Sequence, residues 1–106
     1  MNKVFIVMFE KPPLFSSYNP TKFHQTLTTA NGIVNWFHYI TTSYILICSP
    51  FTSIEKLTSF IKKQLPKNTY FIVLEVNVAS YNGQLPKEAW DWVKENVDPN
   101  SFVFRY

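Results

Sequence analysis

Asn35–Cys48 reads NWFHYITTSYILIC, and the reading of this stretch decides the fold. Two runs rich in β-branched and aromatic residues, Ile33 to Ile40 and Ser43 to Ser49, flank a polar Thr41-Thr42 pair. That pattern predicts two strands joined by a short turn. The hairpin concentrates Trp36, Phe37, His38, Tyr39 and Tyr44. Pro50 ends its second strand, because proline cannot donate to a ladder.

Upstream, Val4 to Phe9 is continuously apolar and β-prone, which predicts a central strand buried on both faces. EKPPLFSSYNP follows, with three of the seven prolines, and reads as a long loop. A helix comes next. Asn19 is a good N-cap, Pro20 suits the first helical position, and Phe23, Leu27 and Ala30 share a face. Asn31-Gly32 stops it.

Downstream, Thr52 and Glu55 form a capping box, and Ile54, Leu57, Ile61 and Leu65 make a helical stripe that Pro66 closes. Tyr70 to Val78 predicts another strand, and Tyr81-Asn82-Gly83 a turn. Pro86 opens a third helix with Ala89, Trp90, Val93 and Val97 on one side. Asp98-Pro99-Asn100 breaks the chain before a last short strand, SFVFRY. The order β-α-β-β-α-β plus an α-β tail predicts one α+β domain over residues 1–106, with residues 1–78 as its core and 79–106 as a C-terminal helix and strand. This is the ferredoxin-like arrangement: a four-stranded antiparallel sheet with two helices on one face.

Two helices on one face leave the other open, and here neither face is polar. Val4, Ile6 and Met8 alternate with Phe5, Val7 and Phe9; Val34, Trp36, His38 and Ile40 alternate with Ile33, Asn35, Phe37 and Tyr39. Three things can cover the second face: the third helix with the last strand, a second copy of the chain in a symmetric dimer, or a base, ring or peptide laid on aromatic rings.

The 106 residues are 46% hydrophobic and 18% aromatic, which excludes a disordered chain. A net charge of +3 is compatible with nucleic acid without arguing for it. One cysteine, Cys48, forms no internal disulfide, so a reducing, cytoplasmic setting is expected. The six-residue apolar run near the N-terminus is too short for a membrane span, and no membrane partner is expected. Two glycines cannot build a phosphate-cradling loop.

Trp36-Phe37-His38-Tyr39, Thr42-Ser43-Tyr44-Ile45, Phe71-Ile72-Val73-Leu74-Glu75-Val76 and Ala89-Trp90-Asp91-Trp92-Val93-Lys94-Glu95 together resemble a pattern found in short prokaryotic proteins labelled "SinR family". No helix-turn-helix is visible, so the label imports no DNA-binding regulator function. That group resembles in turn the ferredoxin-like proteins related to CRISPR adaptation and to the virulence-associated D-type nucleases. The resemblance implies a homodimer that binds nucleic acid or a nucleotide. It also implies an acidic residue at the end of the first strand for Mg²⁺-dependent cleavage. The matching position is Glu10, where the related nucleases carry Asp.

Phosphodiester cleavage with a metal needs a carboxylate for Mg²⁺ and a group to orient water. Glu10 is the candidate ligand and catalytic carboxylate, and His38 the candidate base, its unperturbed pKa lying near neutrality. Alternatively His38 is a hydrogen-bonded histidine on the sheet, or pairs with Glu75 on a neighbouring strand. His24, His38 and Cys48 are too scattered for zinc, and Cys48 reads as core. Lys56, Lys62, Lys63 and Lys67 lie on or just after the second helix, as solvated lysines do. Trp90 and Trp92 are two apart, so only one can point fully into the core and the other covers a second surface. The candidate binding residues are therefore Trp36, His38, Tyr44, Glu75, Trp90 and Trp92. Two functions follow: a small dimeric ferredoxin-like protein binding nucleic acid or a nucleotide, with or without catalysis, or a protein-interaction module, such as a phage- or mobile-element-encoded inhibitor of a host defence protein.

Overall fold

The computed structural model describes residues 2–13, 15–77 and 81–97. Its elements are β1 (Lys3–Phe9), α1 (Pro20–Thr28), β2 (Ile33–Ile40), β3 (Ser43–Cys48), α2 (Ile54–Gln64), β4 (Phe71–Val76) and α3 (Lys87–Asn96). Among the described residues the strands form one antiparallel sheet in the order β2-β3-β1-β4, with β2 and β4 as its edges. β4 ends at Val76, inside the expected Tyr70–Val78. Val78 and the expected last strand, SFVFRY, lie outside the described residues.

Local chemistry sets the helix ends. The Asn19 side chain accepts from the Lys22 amide at 3.1 Å, with Pro20 at the first helical position. α1 stops at Thr28, two residues before Ala30. The Thr28 and Thr29 hydroxyls bond back to the His24 and Gln25 carbonyls, a competition with the backbone ladder that favours termination. Gly32 then takes a φ of +89°, open to glycine at little cost. The cap of α2 differs from the expected capping box. Ser53, not Thr52, accepts from the Lys56 amide at 3.1 Å. Thr52 is engaged elsewhere: its hydroxyl meets Ser49 at 3.1 Å and its carbonyl accepts from Lys3 Nζ at 3.0 Å.

The main core lies between one sheet face and α1 with α2. Phe5, Val7 and Phe9 of β1 and Tyr44, Leu46 and Cys48 of β3 pack on Phe23, Leu27, Leu57, Ile61 and Leu65. A smaller core lies on the opposite face, where Ala89, Val93 and Val97 of the third-helix segment meet Phe37 and Ile47. α3 thus supplies part of the cover the second face needs. It does not supply all of it. Met8 is 41% exposed, Ile40 58%, Ile72 49% and Leu74 38%, so the continuous apolar run of β1 is fully buried on one face only.

The hairpin departs from simple alternation. Ile33 pairs with Cys48 and Asn35 with Ile47, and Phe37 pairs with Ile45 while Ile40 pairs with Ser43. One extra β2 residue sits in each gap, and each extra residue shifts the pleat by one position. Ile33 therefore joins Trp36 and His38 on the helix-covered side, and Ile40 joins Phe37 on the other.

Candidate functional site

On the helix-covered side, four rings from three elements gather at the β2 edge. β3 presents Tyr44, which is 1% exposed. The hydroxyl of Tyr44 lies 2.8 Å from Nδ1 of His24 on α1. The His38 ring stacks on Tyr44 at 3.9 Å between centroids, and on His24 at 5.5 Å. The Trp36 ring meets His24 edge-on at 4.6 Å. Nε2 of His38 is 2.9 Å from the Thr41 carbonyl, which fixes a proton on that nitrogen. Burial raises the Tyr44 pKa well above that of a free phenol, so its hydroxyl keeps its proton and donates to His24. Burial lowers the His24 pKa, and the neighbouring His38 lowers it further. The cluster is a ring-packed assembly tied together by the Tyr44–His24 hydrogen bond and the stacked rings.

That arrangement removes the pairing of His38 with Glu75. β2 and β4 are opposite edges, with β3 and β1 between them, a separation of about 14 Å at ordinary strand spacing. Glu10 does not join His38 either. Its carboxylate accepts from the Tyr70 amide at 2.8 Å, and its own amide donates to the Tyr70 carbonyl at 3.0 Å, so it closes the β1–β4 ladder. Among the described residues no group of three or more His, Cys, Asp or Glu side chains could hold a metal ion. Cys48 is buried in the main core, and burial pushes its thiol up to about 11, far from a nucleophilic thiolate at neutral pH.

The two tryptophans of α3 straddle its buried stripe, so neither points fully into the core as one of them was expected to. Both are half-buried. Trp92 lies 5.2 Å from the Phe37 ring, and its indole N–H donates to Asn35 Oδ1 at 3.3 Å. Asn35 Nδ2 in turn donates to Asn96 Oδ1 at 3.0 Å. The second surface under Trp92 is therefore β2 itself. Trp90 turns the other way, toward Tyr81 at 6.0 Å.

Trp90 forms one wall of an apolar recess on the second face. This groove, about 660 Å³, runs between Ile6, Phe37 and Ile45 on the sheet and Tyr81, Leu85 and Trp90 above it. Among the described residues no charged side chain lines it. It opens onto the uncovered aliphatic row. Strand register puts Met8 between Ile72 and Ser43, and Ile6 between Leu74 and Ile45, so the exposed side chains form one continuous patch. The alternation in Val4–Phe9 anticipated an apolar second face, but not the groove that Tyr81, Leu85 and Trp90 form above it. Sequence reasoning missed His24 because nothing in the spacing tells which strand lies under a helix edge.

No protein-family model, curated protein or solved structure matches the chain.

Proposed function

We propose that this chain is a protein-interaction module of ferredoxin-like architecture that docks an apolar segment of another protein on the open half of its second sheet face. One observation carries the reading: the aliphatic row of Met8, Ile40, Ile72 and Leu74 is exposed, contiguous and continuous with a groove that no charged side chain lines among the described residues. An apolar patch of this kind, rimmed by polar residues, marks an interface. Strand order supports the architecture. β3 lies between β1 and β2, and β1 between β3 and β4, the interleaving that two β-α-β units produce when each strand pair straddles the other.

Protein is a better fit than nucleic acid. Single strands want stacking rings beside cations, and the open row is aliphatic with no lysine or arginine in it. The rings of the hairpin instead stack on one another beneath α1. Cleavage at Glu10 and His38 has no geometric support either, since the two side chains are engaged in separate hydrogen bonds. A host protein blocked by this module is the partner class that an inhibitor function requires.

A photo-reactive benzoylphenylalanine at Ile72, compared with one at Ser59 on the exposed side of α2, tests the reading in the native cell. The Ile72 probe should give a discrete adduct with one other protein, and Leu74→Glu should abolish it. Adducts of equal yield at both positions, or adducts to nucleic acid alone, would overturn it.

A further inference from the structure

We propose that Asn82 is a site of self-modification: the backbone nitrogen of Gly83 closes on the Asn82 side chain, ammonia leaves, and water opens the ring to a carboxylate. The groove beside Trp90 thereby gains a negative charge as the chain ages. The chemistry depends on this chain alone, while its effect on docking rests on the partner surface proposed for that face.

Two conditions favour the reaction. The residue that follows must not crowd the attack, which glycine meets by having no Cβ. Its nitrogen must also sit against the side-chain carbonyl, since reacting atoms already in contact face a lower barrier. Asn82 meets both. It precedes Gly83, and the Gly83 N–H donates to Asn82 Oδ1 at 2.8 Å. Only the oxygen of the amide can accept that bond, so Cγ, the atom to be attacked, is the next atom along. Both residues are exposed and lie outside helix and strand, so no ladder bond has to break for the ring to close. Two other asparagines meet one condition each. Asn31 precedes Gly32, but the pair forms the middle of a turn closed by the Ile33 amide on the Ala30 carbonyl at 3.2 Å, and the Gly32 carbonyl accepts from Ser49 at 2.8 Å. Asn35 Oδ1 accepts from the Trp36 amide at 2.8 Å, the same geometry, but a bulky indole follows it and Trp92 and Asn96 also hold its amide.

Hydroxide takes the Gly83 N–H proton. The nitrogen's electron pair forms the N–Cγ bond, the Cγ–Nδ2 bond breaks, and Nδ2 leaves as ammonia with a proton from solvent. The product is a succinimide. Water then adds at Cγ to give aspartate, or at the Asn82 backbone carbonyl carbon to give isoaspartate. In either case a C–N bond breaks, its nitrogen regains a proton, and one carboxylate appears where there was none. Asn82 lines the groove with Ile6, Phe37, Ile45 and Trp90, and among the described residues no lysine or arginine lines it. A carboxylate there loses its water under an apolar partner and finds no lining cation to pair with, which opposes docking. Loss of ammonia to solvent is irreversible, so a fresh chain binds its partner and an aged one releases it.

Timed peptide mapping of the full native chain in neutral buffer, with isoaspartate read by enzymatic methyl transfer, tests this. Asn82 should convert at least about tenfold faster than Asn31 and Asn35, the mark of a lower barrier. In guanidinium, where the turn and the hydrogen bonds are lost, Asn31 should catch up with Asn82 while Asn35 stays slow. Asn82→Gln, which can close only a larger and slower ring, should stop conversion at this position. In the Ile72 cross-link, Asn82→Asp should lower the adduct yield at least about tenfold. Native conversion at Asn31 equal to that at Asn82, or no conversion at Asn82, would overturn the site. An undiminished adduct from Asn82→Asp would overturn its effect on docking. Mapping is read on the chain alone, so its result is separable from that of the cross-link.

Discussion

Tyr44 is almost wholly buried yet carries a hydroxyl, and a single hydrogen bond to His24 satisfies it. A buried polar group that loses its partner costs more than the bond itself contributes. Tyr44→Phe removes the donor, leaving Nδ1 of a half-exposed ring to water, and should cost about 1 kcal/mol in a urea titration. Alternation along Ile33–Ile40 put Trp36 and His38 on one face, and Tyr44 was named beside them only as a further candidate. Their contact with α1 was not legible, since it depends on how a helix lies across the sheet.

His24 also gives the fold a pH dependence. Its pKa in the folded chain lies below the ordinary value of 6.5, through burial first and the nearby His38 second. The folded state thus binds this proton less readily than the unfolded state. Stability is full above 6.5 and is lost as pH falls from there through the lowered value. Urea midpoints should drop across that window, and His24→Gln should flatten the drop. A midpoint that rises as pH falls would contradict the assignment.

At the scale of elements, the strongest local signals held. Asn19-Pro20 starts α1, the Leu57, Ile61 and Leu65 stripe faces the core, and Thr41-Thr42 turns the hairpin. Two features were not readable. Period-two alternation cannot announce a bulge, and β2 has two irregularities that move Ile33 and Ile40 to faces opposite those expected. Thr52 and Ser53 are equally good caps by type. The choice falls to Ser53 because Ser49 and Lys3 engage Thr52. Ser53→Ala should therefore cost about 1 kcal/mol by thermal melting, the usual value of a lost N-cap.

For the whole molecule, the two sheet faces are unequal. The helix-covered face carries the main core, and the other is covered at the α3 end alone. Ile61→Ala in the closed core should cost about 2–5 kcal/mol, whereas Ile72→Ala on the open row should change stability by less than about 1 kcal/mol. Paired denaturant titrations would show the contrast. The sequence made the surplus of apolar surface plain, because both faces of β1 read as buried. It did not show how little of the second face one short helix reaches.

The most direct measurement is methyl NMR of the isoleucine-labelled full chain with a soluble nitroxide. The account predicts strong broadening of the Ile40 and Ile72 methyls and little at Ile47 and Ile61. Protection of Ile72 equal to that of Ile61 would mean that this half of the sheet is already covered, and would contradict a face held open for a partner.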